Sequence, residues 1–535
     1  MELARRILSD SHSAAETPAR SDGLHLHLQR FGARVRSLTN ARPLRRSDAI
    51  EAITVLIISL SVTIAHIEQR SMWRDEATSV DAVWGSWGGF ARRWFNQDFV
   101  MGLYFAVLKV WVAMFGYSPR ALRLLSAWAV ALLVTVAWLG ARRLWGRVPA
   151  ALCVVFMLTS QVLVLSAHEA RAYGLVAFLA TCSAFALLRT VRTGTRGALF
   201  VTFAALTAYS HPLATLAPLG MLAGAFVTTR SSTRRRIVRL GLALGVTLVP
   251  LASAQLSSKT GLYWVSAPTL ASVRGSARWL LVGLGGSAAT WLRIITLAVG
   301  VLIAIVGALV TRRKSVENPN AVGTVDVRAV DIGVLAGWAV IPSAVLIVLS
   351  LAGHPMFVDR YVMVSVPAVV FLASIGLARL PLGVAGAVGL AVLVAWWGPL
   401  ASSLRWQSSE DWWGAFRATE SARGPRDVVL AGAGRGVMSH YYSLQAKKPA
   451  EIFAVWPKQD DLRPFARPAG VDAIATVRAA PKDRIVWLYT FEAAPPDPIA
   501  AVADAFAGAR CVTSDRQFGD VRVRSYPPSA DCPGR

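Results

Sequence analysis

Apolar runs recur along the chain at roughly 49–67, 122–140, 148–166, 173–189, 198–210, 213–229, 237–256, 294–310, 332–351, 361–378 and 382–400. Most match the roughly 17–25 residues that a helix needs to cross the hydrocarbon core of a bilayer; the run at 198–210 is the shortest. The pattern predicts an α-helical polytopic membrane protein with about eleven transmembrane helices. A further apolar run at 102–115 is ambiguous, because counting it as a span inverts every later loop. Just before it Val80, Val83, Trp84, Trp87, Phe90 and Trp94 recur at helical spacing opposite Asp81, Arg92 and Arg93. Such a stripe predicts a helix lying in the membrane interface, although Gly85, Gly88 and Gly89 weaken it. After Leu400 the pattern changes to prolines, charges and short strand-like alternations at 427–430 and 484–491, then a helical stretch at 500–507. Residues 401–535 therefore read as a soluble α/β domain, long enough for its own core.

Charge resolves the ambiguous run. Cytoplasmic loops carry the excess of Lys and Arg. With 102–115 lying along the surface, the loops at 141–147, 189–197, 230–239, 311–328 and 378–381 hold sixteen basic residues, against six in the alternate loops. The amino terminus is then cytoplasmic, 68–121 is a long external loop, and 401–535 lies outside. Residues 1–48 carry nine arginines and no apolar core of a cleavable signal. They read as a basic, disordered cytoplasmic tail, with an amphipathic stretch at 24–38.

Composition agrees. The chain is 54% apolar and 16% charged, where soluble domains run about 45–50% and about 25%. The net charge of +25 could suggest a nucleic-acid partner, but the arginines sit in clusters between apolar runs, so no nucleic acid is expected. Four cysteines are too few for a disulfide scaffold. Cys153 and Cys182 fall inside apolar runs. Cys511 and Cys532 share the exported domain, where an oxidising compartment favours a bridge. A Gly-Ala-Gly-Arg-Gly turn at 432–436 lacks dinucleotide-fingerprint spacing.

Four clusters carry candidate chemistry, and the topology places all of them outside. Met72-Trp73-Arg74-Asp75-Glu76-Ala77-Thr78 follows the first span; a carboxylate there can take a proton from an attacking hydroxyl. Ser166-Ala167-His168-Glu169-Ala170-Arg171-Ala172-Tyr173 compresses ionisable groups between two spans, where they are costly unless they line a wet cavity. His211 lies in Tyr209-Ser210-His211-Pro212. The segment from His354 to Tyr361 includes Arg360, whose planar fork suits phosphate oxygens.

These motifs resemble the GT-C superfamily of membrane glycosyltransferases, specifically the branch containing protein O-mannosyltransferases and lipid A aminoarabinose transferases. Trp-Arg-Asp-Glu-Ala-Thr and the long amphipathic loop carry the likeness, with Arg123-Leu124-Leu125-Ser126-Ala127 opening the next span and Ala141-Arg142-Arg143-Leu144-Trp145-Gly146 closing it. The similarity is strongest over 70–175 and covers roughly 49–378. It implies a GT-C-like module over 49–400 that transfers a sugar from a polyprenyl-phosphate donor with inversion, in the plasma membrane. Mannose is the first expectation and arabinose the second; the acceptor is an extracytoplasmic glycan, lipid or protein. The resemblance implies Asp75 as the catalytic base and Glu169 as the second acidic residue; Glu76 is a further candidate catalytic acid, and His168 and Tyr173 are candidates for the acceptor or second acidic site. The resemblance implies Arg360 as the residue that holds the lipid phosphate; Arg74, Arg171, His211, His354 and Tyr361 are further phosphate-binding candidates. Here the second acid is Glu, in a His-Glu-Ala-Arg setting, which leaves a divalent cation an open possibility. Two other classes use the same features: a flippase for an anionic envelope precursor, and a non-catalytic envelope scaffold.

Overall fold

The computed structural model describes residues 46–96, 101–229, 231–257, 265–282, 288–317, 327–405, 410–424, 426–431, 441, 451–454, 478, 480, 482–491 and 500–532. The amphipathic stretch at 24–38 and the glycine-rich turn at 432–436 lie outside them. All eleven apolar runs are helical where described. Among the described residues six helices are long and apolar enough to cross a membrane: Arg46–Ile64, Pro119–Leu144, Tyr173–Thr193, Thr233–Leu256, Ala329–Leu351 and Asp359–Leu377. A helix pair, Arg147–Leu158 and Gln161–Ala167, is long and apolar enough only when taken together, and it is bent by 64° at its break. The other four expected spans coincide with shorter apolar helices: Gly197–Ser210, Pro212–Thr228, Trp291–Gly307 and Leu382–Ala395. A polytopic helical membrane protein with a small carboxyl-terminal sheet is thus the observed architecture.

Lipid offers no hydrophobic drive for one helix to join another, so close backbone approach matters more than side-chain bulk. The helices Leu216–Thr228 and Val327–Leu351 cross where Gly220 and Gly224 face Gly337 and Gly333. A Cβ added at any of the four would run into backbone or a threonine side chain across the contact. Gly300 meets Gly376 in the same way. The indole of Trp338, fully buried, donates to the Val364 carbonyl at 2.9 Å.

The ambiguous apolar run forms the helix Gly102–Phe115. At 14 residues it rises only about 21 Å, short of a core about 30 Å thick. It is bound to the first loop, since Lys109 Nζ donates to the carbonyls of Val83 (2.7 Å) and Gly85 (2.6 Å). The aromatic stripe before it is not one helix. Arg74–Val83 and Trp87–Asn96 are separate, broken at Gly85, whose φ of +84° leaves helical space. Val80, Val83 and Phe90 are buried while Trp87 is exposed.

Residues 52–535 form one compact unit. Its carboxyl-terminal part holds a five-stranded sheet in the order β2-β1-β3-β5-β4. The strands are β1 (Val428–Ala431), β2 (Glu451–Ala454), β3 (Val486–Phe491), β4 (Ser514–Phe518) and β5 (Val521–Tyr526). β1 runs parallel to β2 and β3, and β5 antiparallel to β3 and β4. Alternation sets the faces of β5: Val521 and Val523 are buried, while Arg522 and Arg524 reach Asp515 at 2.7 and 3.3 Å. The helix Ala500–Ala509 packs Val502, Ala503 and Phe506 on Leu430, Val486, Leu488 and Tyr526. Cys511 and Cys532 are bridged, with Cα atoms 5.6 Å apart. Where the helix Trp412–Glu420 begins, the Trp413 amide donates to Ser71 Oγ at 3.0 Å, tying this part to the first loop.

Substitution of Gly224 by Val should overpack the glycine crossing, at a typical cost of about 1–3 kcal/mol. A thermal unfolding midpoint several degrees lower in detergent is the expected reading. Gly245→Val, at a position with nothing within 4 Å of an added Cβ, should leave the midpoint unchanged. Cys511→Ser should raise protease sensitivity of 401–535, since closing a loop of this length contributes about 3 kcal/mol.

Candidate active site

The site is built on an ion pair that faces away from it. Glu76 and Arg123 are both fully buried. Arg123 Nε and Nη2 each donate to the Glu76 carboxylate at 2.8 Å. The remaining guanidinium donors go to the carbonyls of Ile67 (2.9 Å), Arg70 (2.8 Å) and Ser71 (3.2 Å). Glu76 also accepts the amides of Ala170 at 2.9 Å and Trp73 at 3.3 Å. A buried ion pair is tolerable only when its remaining donors and lone pairs are met, and here all five guanidinium donors are used. One side-chain pair therefore clamps three segments: the end of the first span, the start of the Pro119–Leu144 helix, and the turn at 168–172. Glu76, expected beside Asp75 as a catalytic acid, is occupied by this clamp. Adjacent positions at a helix start point about 100° apart, so fixing Glu76 inward turns Asp75 outward.

Asp75 is 18% exposed and meets two arginines from distant segments. Arg360 Nη1 donates to Asp75 Oδ2 at 2.7 Å. Arg171 Nη2 lies 3.7 Å from the same oxygen, and its Nη1 donates to the Asp75 carbonyl at 3.1 Å and to Ser79 Oγ at 3.4 Å. Arg360 also stacks over Trp73, 5.4 Å from the ring centroid, and Arg171 over Tyr173 at 5.8 Å. Beside them a small pocket is lined by Tyr173, Val176, His211, Arg360, Tyr361 and Met363. The rings form a row, His211 to Tyr361 at 5.0 Å and Tyr173 to His211 at 6.2 Å between centroids. Burial, and then the charges of Arg171 and Arg360, push the His211 imidazole down to about 3. It is neutral at physiological pH. One carboxylate facing two guanidiniums leaves a surplus positive charge, which an anion entering the pocket would meet.

The other expected residues fall at varying distance from this cluster. Glu169 is half-buried on the turn between Ala167 and Tyr173. Burial, reinforced by Glu76 and opposed by Arg70, Arg171 and Arg360, pushes its carboxyl up to about 7. His168 is buried beneath the same turn. Arg74 opens its helix, and His354 is exposed on the turn after Leu351. Among the described residues no ion pair joins either of them to Asp75. Two arginines crowding one carboxylate do not suit a divalent cation, and among the described residues no three His, Cys, Asp or Glu side chains converge on one point. Trp73 and Ser79 were not singled out in the sequence as contacts of the arginines. Arg123 carries a legible signal of its own, a charge a few positions inside an apolar run.

No family model matches the chain, and no curated protein matches it. Solved structures do. The chain resembles ArnT from Cupriavidus metallidurans in the apo state at 14% identity and a TM-score of 0.55, covering 90% of this chain and 98% of that one. The same protein bound to undecaprenyl phosphate matches at 14% identity and a TM-score of 0.55, covering 88% and 97%. At that identity the likeness is one of fold.

Removing one partner of the clamp should cost about 3–5 kcal/mol by stranding the other charge. Arg123→Met is expected to lower the unfolding midpoint sharply, and Arg123→Met with Glu76→Leu to recover part of the loss. Glu169 supplies a pH signature with the opposite sign to an ordinary paired carboxylate. Its folded-state proton affinity is raised, so the folded protein holds a proton that the unfolded chain releases between about pH 4.5 and about pH 7. Stability contributed by that proton falls as pH rises through this window. Glu169→Gln should flatten the decline in midpoint across it, measured in matched buffers.

Proposed function

We propose that the protein is a membrane glycosyltransferase that takes a sugar from a polyprenyl-phosphate-linked donor and passes it to an acceptor outside the membrane. The observation that carries this reading is Asp75 held between Arg171 and Arg360, three residues from three distant segments, in an ArnT-like fold. The solved relative bound to undecaprenyl phosphate supports the donor class. The arginine distribution among the loops supports an external site.

The chemistry needs a base and an anion-stabilising group, and the cluster supplies both. The donor phosphate is bound by Arg360 and Arg171, whose forks match phosphate oxygens. An acceptor hydroxyl attacks the anomeric carbon from the face opposite the phosphate. Its proton passes to Asp75, the bond from carbon to phosphate oxygen breaks, and the lipid phosphate leaves with the bonding electrons. Configuration inverts. No strong acid is required on the leaving side, because phosphate departs as a stabilised anion already paired with guanidinium. Arg360 is engaged by Asp75. A donor phosphate competes for that arginine, and its arrival releases the carboxylate to act as a base. Glu169, near its own titration point at neutral pH, is placed to accept from the acceptor. Mannose is the first sugar to test, with arabinose or aminoarabinose next.

The test is transfer from radiolabelled polyprenyl-phosphate mannose, and from the corresponding arabinose donors, in membranes with and without this chain. Asp75→Asn should lower turnover by about 10² or more, the usual scale of base catalysis. Arg360→Met should cost about 10²–10³, as losing one charge-stabilising donor does. Near-normal transfer by Asp75→Asn at equal expression would remove the mechanism. A chain inert with every donor, yet moving labelled lipid across vesicles, would favour the flippase reading.

A further inference from the structure

The second site segment is delivered by a broken helix, and the break needs an explanation. Arg147–Leu158 ends at Thr159, the chain turns by 64°, and Gln161–Ala167 carries it to His168–Glu169–Ala170–Arg171. The last carbonyls of a helix have no partner within it. In a membrane such groups must be satisfied by protein. No proline lies at the break, since the only nearby one is Pro149 in the first turn of the leading helix.

Arg293 meets one of those carbonyls and the hydroxyl beside it. It lies on the Ala288–Glu317 helix, 134 positions from Thr159, and is 1% exposed. Its Nη2 donates to the Phe156 carbonyl at 2.8 Å and its Nη1 to Thr159 Oγ1 at 2.5 Å. Thr159 Oγ1 in turn donates to the Val155 carbonyl at 2.7 Å. A cation at a helix C-terminus also complements the dipole. The sequence alone places Arg293 only at the edge of an external loop, among the basic residues there.

We infer that Arg293 is a positioning residue for the proposed transfer reaction: by capping the carbonyl end of Arg147–Leu158, it fixes the bend that aims the Gln161–Ala167 helix and so holds Arg171 against Asp75. All seven residues of Gln161–Ala167 are buried, so a change of bend is transmitted as a rigid displacement. At its far end the turn is held by the Ala170 amide bond to Glu76 and the Arg171 carbonyl bond to Ser126 Oγ (3.2 Å). The segment is thus fixed at both ends, by Arg293 at one and the Glu76–Arg123 clamp at the other. Arg293 touches neither donor nor acceptor, and it acts through the geometry of Arg171.

The inference rests on the proposed reaction for its kinetic part only. Full-length protein in nanodiscs is compared by hydrogen–deuterium exchange and by transfer kinetics, wild type against Arg293→Met, Arg293→Lys and Thr159→Val. Local opening is read directly by exchange, so Arg293→Met should speed exchange over 159–172 by about fivefold or more and leave 197–210 unchanged. Arg293→Lys, which keeps the charge without the fork, should fall between. Thr159→Val removes one acceptor, preserves shape, and should show a smaller local increase even if Arg293→Met fails to fold. A displaced Arg171 should weaken the hold on the donor phosphate as well as slow turnover, lowering kcat/KM for the donor by about tenfold or more. Unchanged exchange over 159–172 in the folded variants overturns the inference, as does acceleration spread evenly over all helices. Wild-type protein that transfers no sugar overturns the reaction instead, and the exchange pattern still decides the role of Arg293.

Discussion

A carboxylate and a guanidinium removed from water at the rim of a membrane must satisfy each other completely, and the Glu76–Arg123 pair does so. Five hydrogen bonds radiate from it to the end of the first span, the first loop and the turn after the bent helix. Replacing such a pair with apolar groups can be neutral for stability, so its value lies in where it puts its neighbours. With Glu76 drawn inward, Asp75 is presented to Arg360 and Arg171. Two adjacent acids thus take different work, one fixing the loop and the other meeting the two arginines.

The same logic extends through the membrane part. Glycine faces bring Leu216–Thr228 against Val327–Leu351, and the latter packs with the helix that begins at Asp359. Arg360 stands at that helix start, beside Trp73 and the Tyr173–His211–Tyr361 row. Each arginine is oriented by an aromatic face as well as by Asp75, which under the proposed function limits the search it makes for a donor phosphate. Restricting side-chain freedom before binding reduces what binding must later cost.

Much of this is legible in the sequence. Periodicity marks every apolar helix, the change in composition marks the sheet-bearing part, and the strands at 427–430 and 484–491 come within two residues of the observed ones. Cys511 and Cys532, a candidate pair in the sequence, are bridged. What is hidden has a physical reason in each case. The Trp-rich stripe reads as continuous because side-chain spacing does not register the backbone turn at Gly85. Glu76 and Asp75 are equivalent as letters, and only the Arg123 contact distinguishes them. His354 shares one short segment with Arg360, yet the turn leaves it in the open. Arg293 is indistinguishable from an ordinary loop arginine until the carbonyl end it caps is seen.

The central claim is that Asp75 and the donor phosphate compete for Arg360. Equilibrium binding of radiolabelled undecaprenyl phosphate to the purified chain in nanodiscs tests it most directly. Asp75→Asn removes the competitor, so the account predicts tighter binding than wild type, by about tenfold if the freed pair is worth on the order of 1.4 kcal/mol. Arg360→Met should bind weakly whichever residue stands at 75. Weaker binding by Asp75→Asn than by wild type would contradict the account.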